Sequence, residues 1–145
     1  MGHVVALDFG ATSGRVILGE VARDHLRMHV TGRFPNRPVN VRGRLHWDVL
    51  ALWQGAIDGL TVALREAPEV SSIATDTWGV DYGLLRGGTL LGNPSHYRDE
   101  RTNAVVDRVQ GRMPHPAPYA RAGIQFMPIN TIYQLAAEAD DELLA

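Results

Sequence analysis

Apolar residues near the start of the chain predict three consecutive β-strands. Residues 4–7 form a short apolar run that ends at Asp8, a pattern typical of a buried strand. Residues 15–21 predict a second strand, and the glycine-rich stretch 9–14 between the two predicts a tight hairpin turn. Apolar and polar side chains alternate over residues 26–34, which indicates a third strand with one face buried.

The apolar residues change to a helical period after residue 48. Asp48 is a candidate helix N-cap, and Pro68 is a stop signal, so the helix is predicted between them. Spacings of four, four, three and four residues place five side chains on one helical face, which we predict to be buried: Val49, Trp53, Ile57, Leu60 and Leu64.

The second half of the chain predicts shorter elements. A strand over residues 72–75 ends at Asp76, and a hairpin joins residues 80–85 to 89–91 around an Arg-Gly-Gly turn. The remaining elements are helices over 102–112 and 130–144 and exposed polar loops over 35–44 and 93–102. The apolar side of the last helix is predicted to consist of Ile132, Leu135, Ala136, Ala139 and Leu143.

This order of elements indicates an α/β protein that contains the start of a ribonuclease H-like fold. In that fold three antiparallel strands lie beside a parallel one in a mixed sheet, and a crossover helix covers one face. Residues 142–145 end the chain inside a helical pattern without a Gly or Asn stop signal, which predicts a piece of a larger domain.

Composition and charge exclude several classes of function. The chain has 145 residues, a net charge of -2, no cysteine and no lysine, since all 14 basic residues are arginines. Disulfides, cysteine nucleophiles, lysine Schiff bases and a standard P-loop are therefore excluded. The charge also argues against a dedicated nucleic-acid or membrane binder. Without a targeting segment or a long apolar run, we expect a soluble cytoplasmic protein.

Three polar segments are candidates for chemistry. Residues 8–15 place a carboxylate, two glycines, two hydroxyls and Arg15 around the first turn, a set that suits polyphosphate and Mg²⁺ but also an ordinary hairpin. Residues 73–83 place Asp76 and Asp81 around a Trp and a Gly, which suits a polyol or a core tryptophan with capping carboxylates. Residues 93–102 form a charged aromatic loop, either functional or a salt-bridge network at a helix start.

Taken together, four segments resemble the FGGY carbohydrate kinases, of the actin/hexokinase-like ATPase superfamily. Residues 8–15 are similar to the first phosphate motif of that family. Residues 76–82, 96–102 and 123–135 are similar to the rhamnulokinase branch, and the resemblance extends from Val5 to about Leu135.

The resemblance implies transfer of the γ-phosphate of ATP to the 1-hydroxyl of L-rhamnulose, with ATP and Mg²⁺ as cofactors. It places Asp8 near Mg²⁺ and the backbone of Gly79 against the sugar, with further sugar contacts from Trp78, Asp81 and Arg98. The ATP phosphates would contact the first turn, which comprises Ala11, Thr12, Ser13, Gly14 and Arg15. No catalytic residue is expected in this segment. The base, the second phosphate motif and the adenosine pocket are expected in later chain, so residues 1–145 would be the N-terminal part of domain I, with the rest absent.

Three alternatives remain open from the sequence. The substrate can be another ketose or polyol, such as xylulose, fuculose or glycerol, because those kinases share the architecture. The isolated chain can be a non-catalytic sugar-binding fragment, and we expect it to be inactive alone and to self-associate through an exposed sheet edge. The third is a ribonuclease H-like nuclease, with metals held by Asp8 and Asp76.

Overall fold

The computed structural model describes residues 2–139, which divide into two compact units. Unit 1 comprises residues 2–38 and 47–79, and unit 2 comprises residues 39–46 and 80–139.

Unit 1 is a four-stranded mixed sheet with one helix. In chain order its elements are β1 (Gly2–Phe9), β2 (Ser13–Val21), β3 (Leu26–Pro35), α1 (Val49–Glu66) and β6 (Val70–Thr77). The strands are arranged in the order β3-β2-β1-β6, with β1 antiparallel to β2 and parallel to β6. The predicted order of elements, with three antiparallel strands beside a parallel one, is thus confirmed.

Helix α1 begins and ends as predicted but buries a different face. Asp48 Oδ1 accepts the N–H of Ala51 at 3.1 Å as the predicted N-cap, and the helix ends before Pro68. The predicted face of Val49, Trp53, Ile57, Leu60 and Leu64 is wrong, because only Leu60 among them packs against the core and Trp53 is 65% exposed. The buried face consists of Leu52, Ala56, Gly59 and Ala63.

Small residues explain why α1 buries this face, because they allow the helix to lie close to the sheet. A Cβ placed on Gly32 of β3 would lie 2.6 Å from the Cα of Gly59, so the two backbones are nearly in contact. The core below this contact consists of Val5, Val16, Leu18, Ala63 and Ala67.

Strand β3 forms where predicted, but its apolar side chains are not half-buried. Leu26, Met28 and Val30 are all exposed, Met28 by 66%. The pairing of β3 with β2 shifts between Val16 and Ile17, which leaves Thr31 as an extra residue. This bulge inverts the alternation of side chains. The described residues of α1 then cover Gly32 and Phe34 but not the earlier apolar side chains.

Unit 2 contains two hairpins, one of them unforeseen. Part of the predicted loop 35–44 is a hairpin, β4 (Val39–Val41) and β5 (Arg44–His46), whose turn residues Arg42 and Gly43 have φ of 53° and 82°. Positive φ at both positions matches the turn that joins hairpin strands. The predicted second hairpin is confirmed but short, as β7 (Leu85–Arg86) and β8 (Thr89–Leu90). Residues 80–84 are not a strand, and Val80 has a φ of 70°.

The helices of unit 2 correct two further predictions. A 3₁₀ helix (Glu100–Val105) leads into α2 (Val106–Arg112), as predicted for 102–112. Helix α3 (Pro116–Ala122) forms where the sequence predicted no helix. It begins at Pro116, and proline is tolerated in a first turn. Helix α4 (Thr131–Glu138) buries Tyr133, Gln134 and Glu138, so the predicted apolar side is wrong, with Ile132 and Leu135 exposed. Leu143 and the predicted continuation to 144 lie outside the described residues.

Within residues 2–139, no helix has both the length and the apolar character needed to cross a bilayer.

Candidate functional site

The first turn forms a closed hairpin tip at the carboxyl end of β1. The Gly10 N–H donates to the Ser13 carbonyl at 2.9 Å, and Ala11 and Thr12 lie exposed at the tip. Gly14 is buried beneath it, where a Cβ would lie 2.2 Å from the ring of Phe34. Glycine at 14 is therefore required by packing, and this packing fixes the base of the turn.

A buried asparagine that the sequence did not single out anchors this turn from the other side. Asn36 is 3% exposed; its Nδ2 donates to the Gly10 carbonyl at 2.8 Å and its backbone N–H donates to the Thr12 carbonyl at 3.0 Å. Two carbonyls of the turn are thereby held on the protein side. The only signal in the sequence is the position of Asn36 between two prolines, which is insufficient without the fold.

Three charged residues line up beside the turn on adjacent strands. Asp8 of β1 pairs in register with Arg15 of β2 and Asp76 of β6, so all three side chains project from the same face of the sheet. The carboxylate of Asp8 forms an ion pair with Arg15. Carboxylate oxygens are the ligands that Mg²⁺ prefers, so Asp8 and Asp76 fit the chemistry of a magnesium site.

The nuclease alternative would place metals on the carboxylates of Asp8 and Asp76. The described residues contain no cluster of three or more His, Asp or Glu that is suited to holding a metal ion. A Mg²⁺ site that draws part of its ligands from outside the protein would not require such a cluster.

The next two candidate residues follow β6 and leave the same edge of the sheet as the turn. Trp78 stacks on the buried ring of Trp47, with centroids 3.9 Å apart and planes inclined by 25°, so one face of Trp78 is covered by protein. Gly79 is exposed, and a Cβ placed on it would meet no atom within 4 Å. The fold itself therefore does not require glycine at position 79.

The charged loop 93–102 is built around Asp99, which is buried in unit 2. Its carboxylate accepts hydrogen bonds from the Leu45 N–H at 2.7 Å, the Arg44 Nε at 2.9 Å and the Arg101 N–H at 3.1 Å. Burial alone would raise the pKa of Asp99, but these hydrogen bonds outweigh it and hold the pKa below its usual value. Asp99 thus caps the helix that begins at Glu100, which agrees with the second interpretation of this loop, a salt-bridge network at a helix start.

Two other residues of this loop differ in exposure. Arg98 is exposed and lies over the ring of Tyr97, 5.3 Å from its centroid, where its guanidinium is accessible. His96 is buried, and its Nδ1 accepts the N–H of Arg98 at 2.9 Å. Burial lowers the pKa of His96, partly offset by the nearby carboxylate of Asp81.

Asp81 belongs to a buried polar network centred on Gln134. The Gln134 Nε2 donates to Asp81 Oδ1 at 2.9 Å, and its Oε1 accepts from Arg101 NH2 at 2.7 Å. The same Arg101 nitrogen lies 3.4 Å from Glu138 Oε1. Burial and the Glu138 carboxylate raise the pKa of Tyr82. The orientation of Asp81 is therefore set by α4, a long-range contact that no local motif indicates.

Within each unit the predicted residues are thus arranged as follows. Unit 1 brings the turn, Asp8 and Arg15 together and places Trp78 and Gly79 at the same sheet edge, whereas Asp81 and Arg98 belong to unit 2.

Comparison with curated proteins gives relatives that share one name, rhamnulokinase. The chain is 39% identical to the rhamnulokinase of Bacteroides thetaiotaomicron over 96% of its own length and 31% of that protein. It is 39% identical to the rhamnulokinase of Yersinia pestis and 42% identical to that of Pectobacterium atrosepticum, covering 29% and 28% of those proteins. The chain therefore spans about 30% of the length of these relatives. The resemblance to the rhamnulokinase branch is confirmed over nearly the whole chain.

Comparison with solved structures identifies the fold. A xylulose kinase and a gluconate kinase of Lactobacillus acidophilus each superpose with a TM-score of 0.79, at 14% and 15% identity, over 98% of this chain and 29% of theirs. A xylulose kinase of Rhodospirillum rubrum gives a TM-score of 0.78 at 20% identity. No protein-family profile matches the chain. The fold is thus the actin-like ATPase fold of the FGGY carbohydrate kinases.

Proposed function

We propose that the chain supplies part of an ATP-dependent sugar kinase whose acceptor is the 1-hydroxyl of L-rhamnulose. The similarity to rhamnulokinases over 96% of the chain is the observation that supports this most strongly. The solved kinases of known fold act on several different substrates according to their names, so the fold leaves the sugar open and the sequence similarity favours L-rhamnulose.

In this proposal the turn after β1 receives the ATP phosphates. The carbonyls of Gly10 and Thr12 are held inward by Asn36, an arrangement that favours presentation of the N–H groups at the exposed tip to an anion. The hydroxyls of Thr12 and Ser13 and the guanidinium of Arg15 add donors to the same tip.

Asp8, with Asp76 beside it, would hold Mg²⁺ near those phosphates. When bound, the ion neutralises charge on the phosphate oxygens. Arg15 already neutralises Asp8, so nucleotide binding would divide the charge of Arg15 between Asp8 and phosphate. Because of this pairing we assign Asp8 to charge balance and not to proton abstraction.

The segment from Trp78 to Asp81, with Arg98, would contact the sugar. The stacked Trp78 offers one ring face, and the open space at Gly79 allows a hydroxyl to approach the backbone. In the reaction the P–O bond to ADP breaks, a bond from the 1-hydroxyl oxygen to the γ-phosphorus forms, and a carboxylate base takes the hydroxyl proton. Asp81 is engaged by Gln134 and is not proposed as that base.

A chimaera tests this proposal. The chain would replace the matching residues of the B. thetaiotaomicron rhamnulokinase, and sugar-dependent ADP release would be measured with L-rhamnulose, D-xylulose and glycerol. We expect release with L-rhamnulose, and a decrease of about 10- to 100-fold in the Arg15→Ala variant, which removes a charge-assisted phosphate contact. A folded chimaera that prefers another acceptor, or that phosphorylates none, would overturn the proposal.

A further inference from the structure

Unit 2 contains an apolar cavity of about 280 Å³ that the proposed function has not used. Its wall includes Val80, Ile124, Phe126, Ile132 and Tyr133, with His115 at one side. Small-molecule sites in proteins are concave and mostly apolar, with a few polar groups that set orientation. The volume of this cavity exceeds that of a single methyl group and suits one end of a small molecule.

Three aromatic rings fix the shape of this wall. The ring of Phe126 packs edge-on against Tyr133, with centroids 5.4 Å apart and planes at 89°, and against His115 at 5.2 Å and 87°. Tyr133 is buried in α4, so the assembly is attached to a regular element. Edge-on aromatic contacts have a preferred geometry, which makes this wall a defined surface.

Val80 on this wall has an unusual backbone conformation. Its φ of 70° lies in the left-handed region, which is a genuine outlier for a β-branched residue. The Val80 carbonyl is held by Thr131 Oγ1 at 2.7 Å and by Gln134 Nε2 at 3.2 Å. Such strain persists where surrounding structure determines it, and it clusters at functional sites. Glycine would adopt this backbone freely, yet the position carries an isopropyl group that lines the cavity.

Two of the polar side chains on this wall are already engaged. Thr131 donates to the Val80 carbonyl, and Asn130 Nδ2 donates to the Gln125 carbonyl at 2.9 Å. A ligand hydroxyl placed against this wall would lose its hydrogen bonds to water without gaining these donors, whereas a methyl group would lose nothing.

From these observations we infer that the cavity binds the methyl end of a 6-deoxyketose. The inference rests on the proposed function, since Val80 stands in the chain between Gly79 and Asp81, two residues proposed to contact the sugar. L-rhamnulose is 6-deoxy-L-fructose, so its apolar end is one methyl group at C6, and L-fructose carries a hydroxyl there. The cavity would thus select the deoxy sugar over its hydroxylated analogue.

Methyl-detected NMR of the purified 145-residue chain tests this inference. The isoleucine and valine methyl signals would be followed during titration with L-rhamnulose and, separately, with L-fructose. We expect L-rhamnulose to shift the signals of Val80, Ile124 and Ile132, and L-fructose to bind about 10- to 100-fold more weakly, the range that an apolar pocket achieves against an added hydroxyl.

Val80→Thr is the decisive variant, because threonine keeps the β-branched shape and adds a hydroxyl to the wall. It should reduce the ratio of the two dissociation constants by about tenfold, whereas Val62→Thr, at an exposed position of α1, should leave the ratio unchanged. If Val80→Thr does not fold, Ile124→Thr at the exposed part of the wall is expected to reduce the ratio in the same direction.

Each other outcome overturns the inference. Equal binding of the two sugars, shifts confined to residues outside the cavity, or no shift with either sugar would each exclude the cavity as the methyl site. None of these results would decide the proposed function, which fails separately if the folded chimaera does not phosphorylate L-rhamnulose.

Discussion

The close contact between α1 and the sheet predicts that Gly59→Ala destabilises unit 1, although alanine is the better helix former. An alanine Cβ at position 59 would lie 2.5 Å from Val16 Cγ2, 2.8 Å from Val16 Cβ and 3.1 Å from Gly32 Cα. Val16 is completely buried and β-branched, so it has few alternative rotamers. The helix must therefore move away from the sheet to accept the methyl group.

Two opposing terms set the expected magnitude. Replacing glycine by alanine inside a helix gains about 1 kcal/mol of intrinsic propensity. Forcing an extra methyl group into a packed core costs about 1–3 kcal/mol, and the short distances here indicate the upper part of that range. We expect a net loss of about 1–2 kcal/mol in the free energy of unfolding, after the propensity gain is subtracted from the overpacking cost.

Urea unfolding followed by tryptophan fluorescence measures this change in unit 1 alone, because all three tryptophans belong to that unit. The pair Asp58→Gly and Asp58→Ala, at the exposed neighbouring position of α1, measures the propensity term in the same helix. If Gly59→Ala raises the urea midpoint by as much as the Asp58 pair differs, the methyl group is accommodated at no cost. Close packing of α1 on the sheet would then not be what requires glycine at position 59.

Four further predictions concern the candidate site. In the chimaera, Gly79→Val should raise the KM for L-rhamnulose by about tenfold or more with the fold intact. The control Gly92→Val, at a similarly open glycine, should leave this KM unchanged. Equal effects of the two variants on KM would remove Gly79 from the site. Asp8→Asn should lower kcat by about 10- to 100-fold and shift the Mg²⁺ dependence of kcat, with little change in the KM for the sugar. An equal loss in sugar affinity would contradict the proposed role of Asp8 in holding Mg²⁺. Because the folded pKa of His96 is lowered from 6.5, its contribution to stability is present above pH 6.5 and is lost as the pH falls through the folded pKa. The variant His96→Asn keeps an acceptor for the N–H of Arg98. When unfolding is followed by circular dichroism, its urea midpoint should therefore fall less between pH 7.5 and 5.5 than that of the unchanged chain. Identical falls in the two proteins would exclude His96 as the source of the pH dependence. The 145-residue chain alone should show no sugar-dependent ADP release, and release that survives removal of contaminating kinases would place a base within it.

The sheet of unit 1 could be predicted from the sequence because its signals are local. A short apolar run, a glycine turn and a change from two-residue to helical periodicity each depend on neighbouring residues. Two hairpin strands next to each other in the chain also pair with each other, so the register that brings Asp8 opposite Arg15 follows from the turn between them.

The buried faces of the helices could not be predicted in the same way. Apolar periodicity identified a stripe on α1 and another on α4, and in both helices most of the described residues of that stripe are exposed. In α1 the buried face is chosen by small residues that permit close approach, which a count of hydrophobic side chains ranks low. In α4 the buried face includes Gln134 and Glu138, which are stabilised by Arg101, a partner more than thirty residues away in the chain.

The same limit applies to the candidate site. The residues of the turn could be named from the motif, but the support from Asn36 could not, because it depends on a chain crossing far from residue 10. The sequence also left open whether the loop 93–102 is functional or structural. Within that loop, the hydrogen bonds of Asp99 to Leu45 and Arg44, more than fifty residues away, indicate a structural role for Asp99.

Glycines show how structure separates residues required by folding from residues available to a ligand. Gly14 and Gly59 are fixed by packing, since a Cβ on either would overlap a buried neighbour. Gly43 and Gly123 are favoured by their positive φ. Gly79 has neither constraint, and Gly92 has neither as well, so openness alone does not identify a binding residue. What distinguishes Gly79 is its place at the carboxyl end of β6, beside the strand that ends in the first turn, where ligands of open α/β sheets bind. We therefore keep Gly79 as a proposed sugar contact, because the fold does not need a glycine there and the position lies at the edge where a ligand is expected.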